Sequence, residues 1–161
     1  MASSRFPPID PMSHVAARFS HGLLMVAELV RRTDDLTLDR VVQIACLEDW
    51  FTNYRLLIEF LLMKPPGNCA GAADLAPGWV PPESQVIRSL KADYGWASED
   101  VSHIGIPKPR KLVGNIHPAA LKIKVLWVFE VADEFTAELA KQGSPYADLI
   151  ANGLAAARAA L

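Results

Sequence analysis

Apolar residues recur at helical spacing along most of the chain. Their pattern predicts a first helix over residues 11–32, with Asp10 as its N-cap and Pro11 at the first helical position. A second helix is predicted over residues 38–63, with Thr37 as its cap. Apolar side chains cover most sides of this second helix, which is typical of a helix at the centre of a bundle.

The rest of the chain predicts three more helices. The first covers residues 82–94 and ends where Gly95 interrupts the apolar pattern. Residues 122–131 have the composition of a strand, but the length of the unbroken segment 118–142 favours a helix. Gly143 is a candidate C-cap, and an alanine-rich helix follows it. The sequence therefore predicts an all-α fold, an antiparallel helical bundle of four main helices plus a C-terminal helix.

Length and composition predict a single helical-bundle domain over residues 1–161. Hydrophobic residues make up 51% of the chain, which is enough to build a core. Outside the helices, residues 1–10 predict an extended arm, and residues 64–82 predict a long loop rich in Pro, Gly and Ala. Loops of this length are often functional, so Trp79 within it is a candidate anchor for a protein partner, or part of a lid.

Four polar residues form a stripe along the second helix, because their spacings of four, three and four follow the helical period. They are Glu48, Thr52, Arg55 and Glu59. One interpretation is an internal ion-pair network that fixes helix register, since buried charges are costly unless they are paired. The other is a site in which the carboxylates orient Arg55 to bind an anion such as phosphate.

Charge and the lengths of apolar runs argue against several functions. The formal net charge of −2 gives no general reason to expect DNA binding. No apolar run reaches the length of a membrane span, and the N-terminus has no signal pattern, so we expect a cytoplasmic protein without a membrane partner. The two cysteines lack partners at metal-ligand spacing, and no phosphate-binding loop is present, so we expect no metal or other cofactor.

Candidate acid–base chemistry lies in a basic segment before residue 118. His103 is followed by Lys108, Arg110 and Lys111, and His117 comes seven residues after Arg110. An imidazole titrates near neutrality and can move protons during phosphodiester cleavage. Neighbouring cations can stabilise the charge that develops on the phosphate. The alternative is a histidine at a helix end beside a solvated basic loop.

Three further polar residues, His14, Arg18 and His21, share one face of the first predicted helix. They make a poor metal site, because the guanidinium between the two imidazoles would repel a cation. Ordinary polarity at the protein surface is the better explanation of this face.

The second helix resembles that of bacterial helical-bundle proteins of the HEPN group. Residues 47–61 read LEDWFTNYRLLIEFL, with an acidic residue, then an Arg, then an acidic-aromatic-aliphatic ending. Ser102-His103 later precedes a loop that ends in Arg110, as in those proteins. The superfamily includes metal-independent ribonucleases of toxin and antiviral systems, along with many non-catalytic members.

The resemblance implies two functions. One is a homodimeric, metal-independent endoribonuclease of a toxin or defence system, in which two protomers surround an RNA phosphate. His103 or His117 would then act as acid and base, while Arg55 and Arg110 would position the phosphate for attack by the 2′-hydroxyl. The other is a non-catalytic protein-interaction module of the same fold, such as an antitoxin-like or scaffold subunit. It would dock a partner through the Trp79 loop or the N-terminal arm.

Overall fold

The computed structural model describes residues 10–64, 67, 69–102 and 117–161, with the backbone alone for residues 96 and 98–102. Within these ranges the chain forms helices and no strand, so the fold is all-α, as predicted. All of the predicted N-terminal arm except Asp10 lies outside the described residues. The helices are α1 (Pro11–Thr33), α2 (Arg40–Leu62), α3 (Ala72–Leu75), α4 (Gln85–Ser102), α5 (Pro118–Lys141) and α6 (Ala147–Ala160).

Local capping determines where α1 begins and α5 ends, as the sequence predicts. The Asp10 carboxylate accepts a hydrogen bond from the Met12 N–H at 3.0 Å. After α5, Gly143 adopts a positive φ of 67°. The Ser144 N–H then donates to the Leu139 carbonyl at 2.9 Å, which completes a Schellman motif. The prediction that Gly143 terminates this helix is therefore confirmed.

The predicted cap of α2 is wrong. The N-cap is Asp39, whose carboxylate accepts a hydrogen bond from the Val41 N–H at 2.8 Å. Thr37 instead donates its hydroxyl to the Asp35 carboxylate at 2.6 Å. Several residues in this segment can cap a helix, and the local turn around Asp35 engages Thr37 before α2 begins.

The predicted break at Gly95 is also wrong, because α4 runs through it to Ser102. A single glycine within a helix costs only about 1 kcal/mol relative to alanine. Leu90 and Ala97, on either side of Gly95, are completely buried in the core. Burial of these flanking side chains outweighs the cost of the glycine and keeps the helix continuous.

The core forms where the five long helices meet. α1 packs against α2, α5 and α6, while α4 packs against α2 and α5. α1 and α6 run in the same direction, since Asp10 bonds to Tyr146 and Ser20, further along α1, bonds to Leu149. The largest side chains of this core include Trp50, Tyr54, Phe129, Phe135, Leu23 and Ile58.

α1 and α6 approach each other closely at Gly153. A Cβ atom added to Gly153 would lie 2.5 Å from the Ser20 Cβ and 3.1 Å from its Cα. Ser20 is itself buried, and its hydroxyl donates to the Leu149 carbonyl at 3.3 Å. Only glycine at position 153 allows the two helices to pack this closely.

α2 buries only one side, so the prediction that it lies at the centre of the bundle is wrong. Its buried residues all share that side, and they are Trp50, Phe51, Tyr54, Leu57, Ile58 and Leu61. Val41, which has the same apolar character, is 73% exposed. An apolar sequence does not reveal how many neighbours a helix has, and Val42 and Leu56, on the opposite side of α2, also remain exposed.

Trp79 holds the loop between α2 and α4 against the core. Its indole N–H donates to the Leu61 carbonyl at 3.0 Å, and its ring packs edge-on to Phe135 at 5.2 Å between centroids. The Gln142 side chain adds a hydrogen bond to the Pro77 carbonyl at 3.2 Å. Trp79 is therefore engaged within this chain, and not the free partner anchor or lid that the sequence suggested.

Two glycine substitutions test this packing. Gly153→Ala is expected to destabilise the fold by roughly 1–3 kcal/mol, because its methyl group would push α6 away from Ser20. Gly95→Ala has no heavy atom within 4 Å of the added Cβ. It is expected to stabilise the fold by about 0.5–1 kcal/mol. Urea unfolding followed by circular dichroism measures both changes, and equal effects would contradict the close approach at Gly153.

Candidate functional site

A buried polar contact sets the orientation of α2. The Tyr54 hydroxyl donates to Asp93 Oδ2 on α4 at 2.7 Å, and Lys124 Nζ on α5 donates to the same oxygen at 2.5 Å. Burial, followed by the Asp93 charge, raises the pKa of Tyr54, so the phenol stays protonated and keeps its role as donor. Three helices are thus joined through one largely buried carboxylate.

The polar stripe of α2 ends in a second, half-buried cluster. Glu59 Oε2 lies 3.9 Å from Arg55 Nη1 and accepts a hydrogen bond from the Tyr94 hydroxyl at 3.3 Å. Nearer the N-terminus of α2, Glu48 is exposed, and its backbone carbonyl accepts a hydrogen bond from the Thr52 hydroxyl at 3.2 Å. Arg55 and Glu59 therefore form an internal ion pair that Tyr94 supports, while the start of the stripe faces solvent.

A second exposed stripe runs beside the polar one at intervals of seven residues. It consists of Val42, Asp49, Leu56 and Met63. The three apolar members are 42%, 46% and 37% exposed, in chain order. A repeat of seven residues keeps one side of a helix facing one direction. The two stripes together, eight residues from Val42 to Met63, are called the outer face of α2 below.

A groove of about 810 Å³ lies between α1 and α2. One wall carries His14, Arg18 and His21 of α1, so these three polar residues lie together on a concave surface. The opposite wall consists of α2 residues that include Asp49 and Glu59. The floor is apolar, and Cys69, in the loop that follows α2, also lines the groove. We call this the α1–α2 groove.

The four predicted catalytic residues are only partly described. Arg55 lies on α2 in the pair with Glu59, and His117 lies at the start of α5. The His117 Nδ1 accepts a hydrogen bond from the Ala119 N–H at 3.2 Å, so this side chain caps α5. His103 and Arg110 lie outside the described residues. Between Arg55 and His117 there is no hydrogen bond or ion pair in the structure as described.

The sequence did not reveal the contact of Tyr54 with Asp93 and Lys124. Tyr54 is 39 positions from Asp93 in the sequence, and Lys124 is 31 positions from it. The three residues lie on separate helices, and no spacing rule connects them. The only sequence signal was a Tyr and a Lys within otherwise apolar segments, where a polar group needs a partner. Such a signal indicates that a partner exists but does not identify it.

Comparisons with known proteins give no relative for this chain. No family model matches it, and no curated protein or solved structure matches it significantly. Within the described ranges, no helix combines the length and apolar character needed to cross a membrane. Nor does any group of three His, Cys, Asp or Glu side chains in that part of the chain have the arrangement of a metal site.

Two tyrosine substitutions test the buried contact. Tyr54→Phe is expected to lower the free energy of unfolding by about 1–3 kcal/mol, because it removes a hydrogen bond to a largely buried charge. Tyr146→Phe is the matched control, since its hydroxyl bonds to Asp10 at the protein surface. Its effect should be smaller. Urea unfolding of the two variants gives the comparison, and a larger loss for Tyr146→Phe would contradict the role of Tyr54.

Proposed function

We propose that this protein is a helical interaction module that forms a homodimer through the outer face of α2. Five of the nine exposed large apolar side chains in the described part of the chain lie on α2 or just beside it. They are Leu36, Val41, Val42, Leu56 and Met63, of which the last three belong to the outer face. Exposed apolar groups concentrated on one surface are typical of protein–protein contacts. This concentration is the observation that carries the proposal.

The charges of the outer face favour a second copy of the same chain as the partner. Arg55 follows Asp49 by six residues and Glu48 by seven. In an antiparallel pair of α2 helices with a twofold axis near their middle, each Arg55 would lie opposite the carboxylates of the other copy. Val42 would lie opposite Met63. A parallel pair would instead bring like charges together, which disfavours association.

The HEPN resemblance agrees with this proposal in two respects. That group includes non-catalytic members, and the resemblance implies a homodimer. The proposed interface differs from the Trp79 loop that the sequence suggested, because the indole is packed inside the chain. The outer face of α2 offers both apolar area and complementary charges.

Two charged substitutions test the homodimer. Val42→Glu is expected to convert a dimer into a monomer, because two carboxylates would enter an apolar contact. Leu149→Glu on α6 is the matched control, since its side chain is 40% exposed, close to that of Val42, but lies off the outer face. This variant should remain dimeric. Sedimentation equilibrium gives the mass of each species.

The wild-type chain should therefore sediment as a dimer at micromolar concentrations. A monomeric wild type would overturn the proposal. So would a Val42→Glu variant that associates as strongly as Leu149→Glu. Thermal unfolding of both variants verifies that each charged side chain is tolerated by the fold.

A metal-independent endoribonuclease is a second candidate, favoured by the position of Arg55. The guanidinium is partly exposed and its pair with Glu59 is long, 3.9 Å, so donors remain for a phosphate oxygen. In this proposal His103 or His117 moves the protons, and Arg110 helps to position the phosphate. The 2′-hydroxyl attacks phosphorus, the 5′-oxygen leaves with a proton, and a cyclic phosphate forms.

RNA cleavage in the presence of EDTA tests the second candidate. Single-stranded RNA should be cut by the wild type, and His103→Ala or His117→Ala should reduce the rate roughly a hundredfold or more. His14→Ala is the control, because His14 lies on α1 and has no role in this proposal. Absence of cleavage, or a rate that neither substitution changes, would exclude this function.

A further inference from the structure

The α1–α2 groove has the size and the floor of a small-molecule site. Its volume of about 810 Å³ is within the range of ligand pockets in proteins. Phe19 and Phe60 stack in its floor with centroids 4.6 Å apart, and Phe60 is only half-buried. An apolar molecule could therefore cover aromatic surface that this chain leaves exposed.

The α1 wall of the groove supplies hydrogen-bond donors that nothing else engages. His14, Arg18 and His21 are exposed and follow each other at spacings of four and three, within about 10 Å along the helix axis. None of the three side chains forms a hydrogen bond or an ion pair with another residue of the described ranges. A guanidinium between two imidazoles provides several donors on one side of the groove.

Each acidic residue of the opposite wall already has at least one partner within the chain. The Asn53 side chain donates to Asp49 Oδ1 at 3.2 Å. Glu59 accepts from Tyr94 at 3.3 Å and pairs with Arg55. The side chains without a partner are therefore the hydrogen-bond donors of the α1 wall. Such donors favour a ligand that is a hydrogen-bond acceptor or an anion. The two carboxylates repel any anion, and this repulsion is about twice as large for a doubly charged phosphate as for a single carboxylate at the same distance.

We propose that the α1–α2 groove binds a small amphipathic carboxylate. Arg18 would hold the carboxylate through its planar fork, with His14 and His21 on either side as further donors. The apolar part of the ligand would lie along Phe19 and Phe60. One negative charge and an apolar body satisfy both the donor wall and the floor.

The groove and the proposed dimer interface overlap only in part. Asp49, Leu56 and Glu59 of the outer face also line the groove, whereas Val42 does not, and all lining residues belong to one chain. The monomer expected for Val42→Glu should therefore bind the same ligand. Binding by this variant separates failure of the carboxylate site from failure of the dimer.

Decanoate and decanol form a matched pair of probes that differ in charge. With Cys46 replaced by alanine, Cys69 at the groove is the only thiol, because the chain has two cysteines. Decanoate should slow alkylation of Cys69 by iodoacetamide in a saturable manner, and decanol should require a concentration at least about tenfold higher. Isothermal titration calorimetry gives the dissociation constant directly.

Arg18→Met should weaken decanoate binding by about tenfold or more, because it removes the bidentate donor. Arg31→Met is the control, since Arg31 lies on the same helix but pairs with Glu28 away from the groove. Equal binding of decanoate and decanol would overturn the proposal. The proposal would also be overturned if Arg18→Met left decanoate binding unchanged, or if Arg31→Met weakened it as much as Arg18→Met. A lack of saturable protection of Cys69 would contradict it as well.

Discussion

The hydrogen bond from Tyr54 to Asp93 fixes the rotation of α2 about its own axis, and the surfaces on either side depend on that rotation. Lys124 donates to the same carboxylate oxygen, so α2, α4 and α5 meet at one polar contact within an apolar core. A partly satisfied buried network is costly, because each lost partner leaves a desolvated polar group unpaired. With Tyr54 held inward, Leu56 and Met63 lie on the opposite side of the helix and face outward. The outer face of α2 is thus a consequence of a contact in the core.

The elements that could be predicted from the sequence are those determined by local properties. Asp10 and Gly143 are a cap and a helix terminator by their own chemistry, so the start of α1 and the end of α5 follow from a few neighbouring residues. The predictions at Thr37 and Gly95 are wrong because a local preference competes with a second influence. At Thr37 that influence was the turn around Asp35, and at Gly95 it was burial of the flanking residues.

The candidate site depends on packing between helices, which cannot be predicted from the spacing of residues in the sequence. The face formed by His14, Arg18 and His21 was evident from their spacing. Only the packing of α2 beside α1 makes that face the wall of a groove. The stripe that contains Arg55 was likewise evident, but its surroundings were not. Its apolar neighbours on α2 suggest burial on all sides, whereas Val42 and Leu56 on the outer side of the helix are exposed.

The antiparallel pairing of two α2 helices is the central claim, and one distance tests it directly. Val42 lies about ten residues from the proposed twofold axis, so the two copies of this residue should be about 30 Å apart, at 1.5 Å per residue in each direction. A spin label on Val42→Cys, in a chain whose native cysteines are replaced by serine, reports this separation through pulsed electron paramagnetic resonance. A distance near 30 Å is predicted. In a labelled chain that sediments as a dimer, a distance near 10 Å would indicate parallel helices and would contradict the proposed assembly.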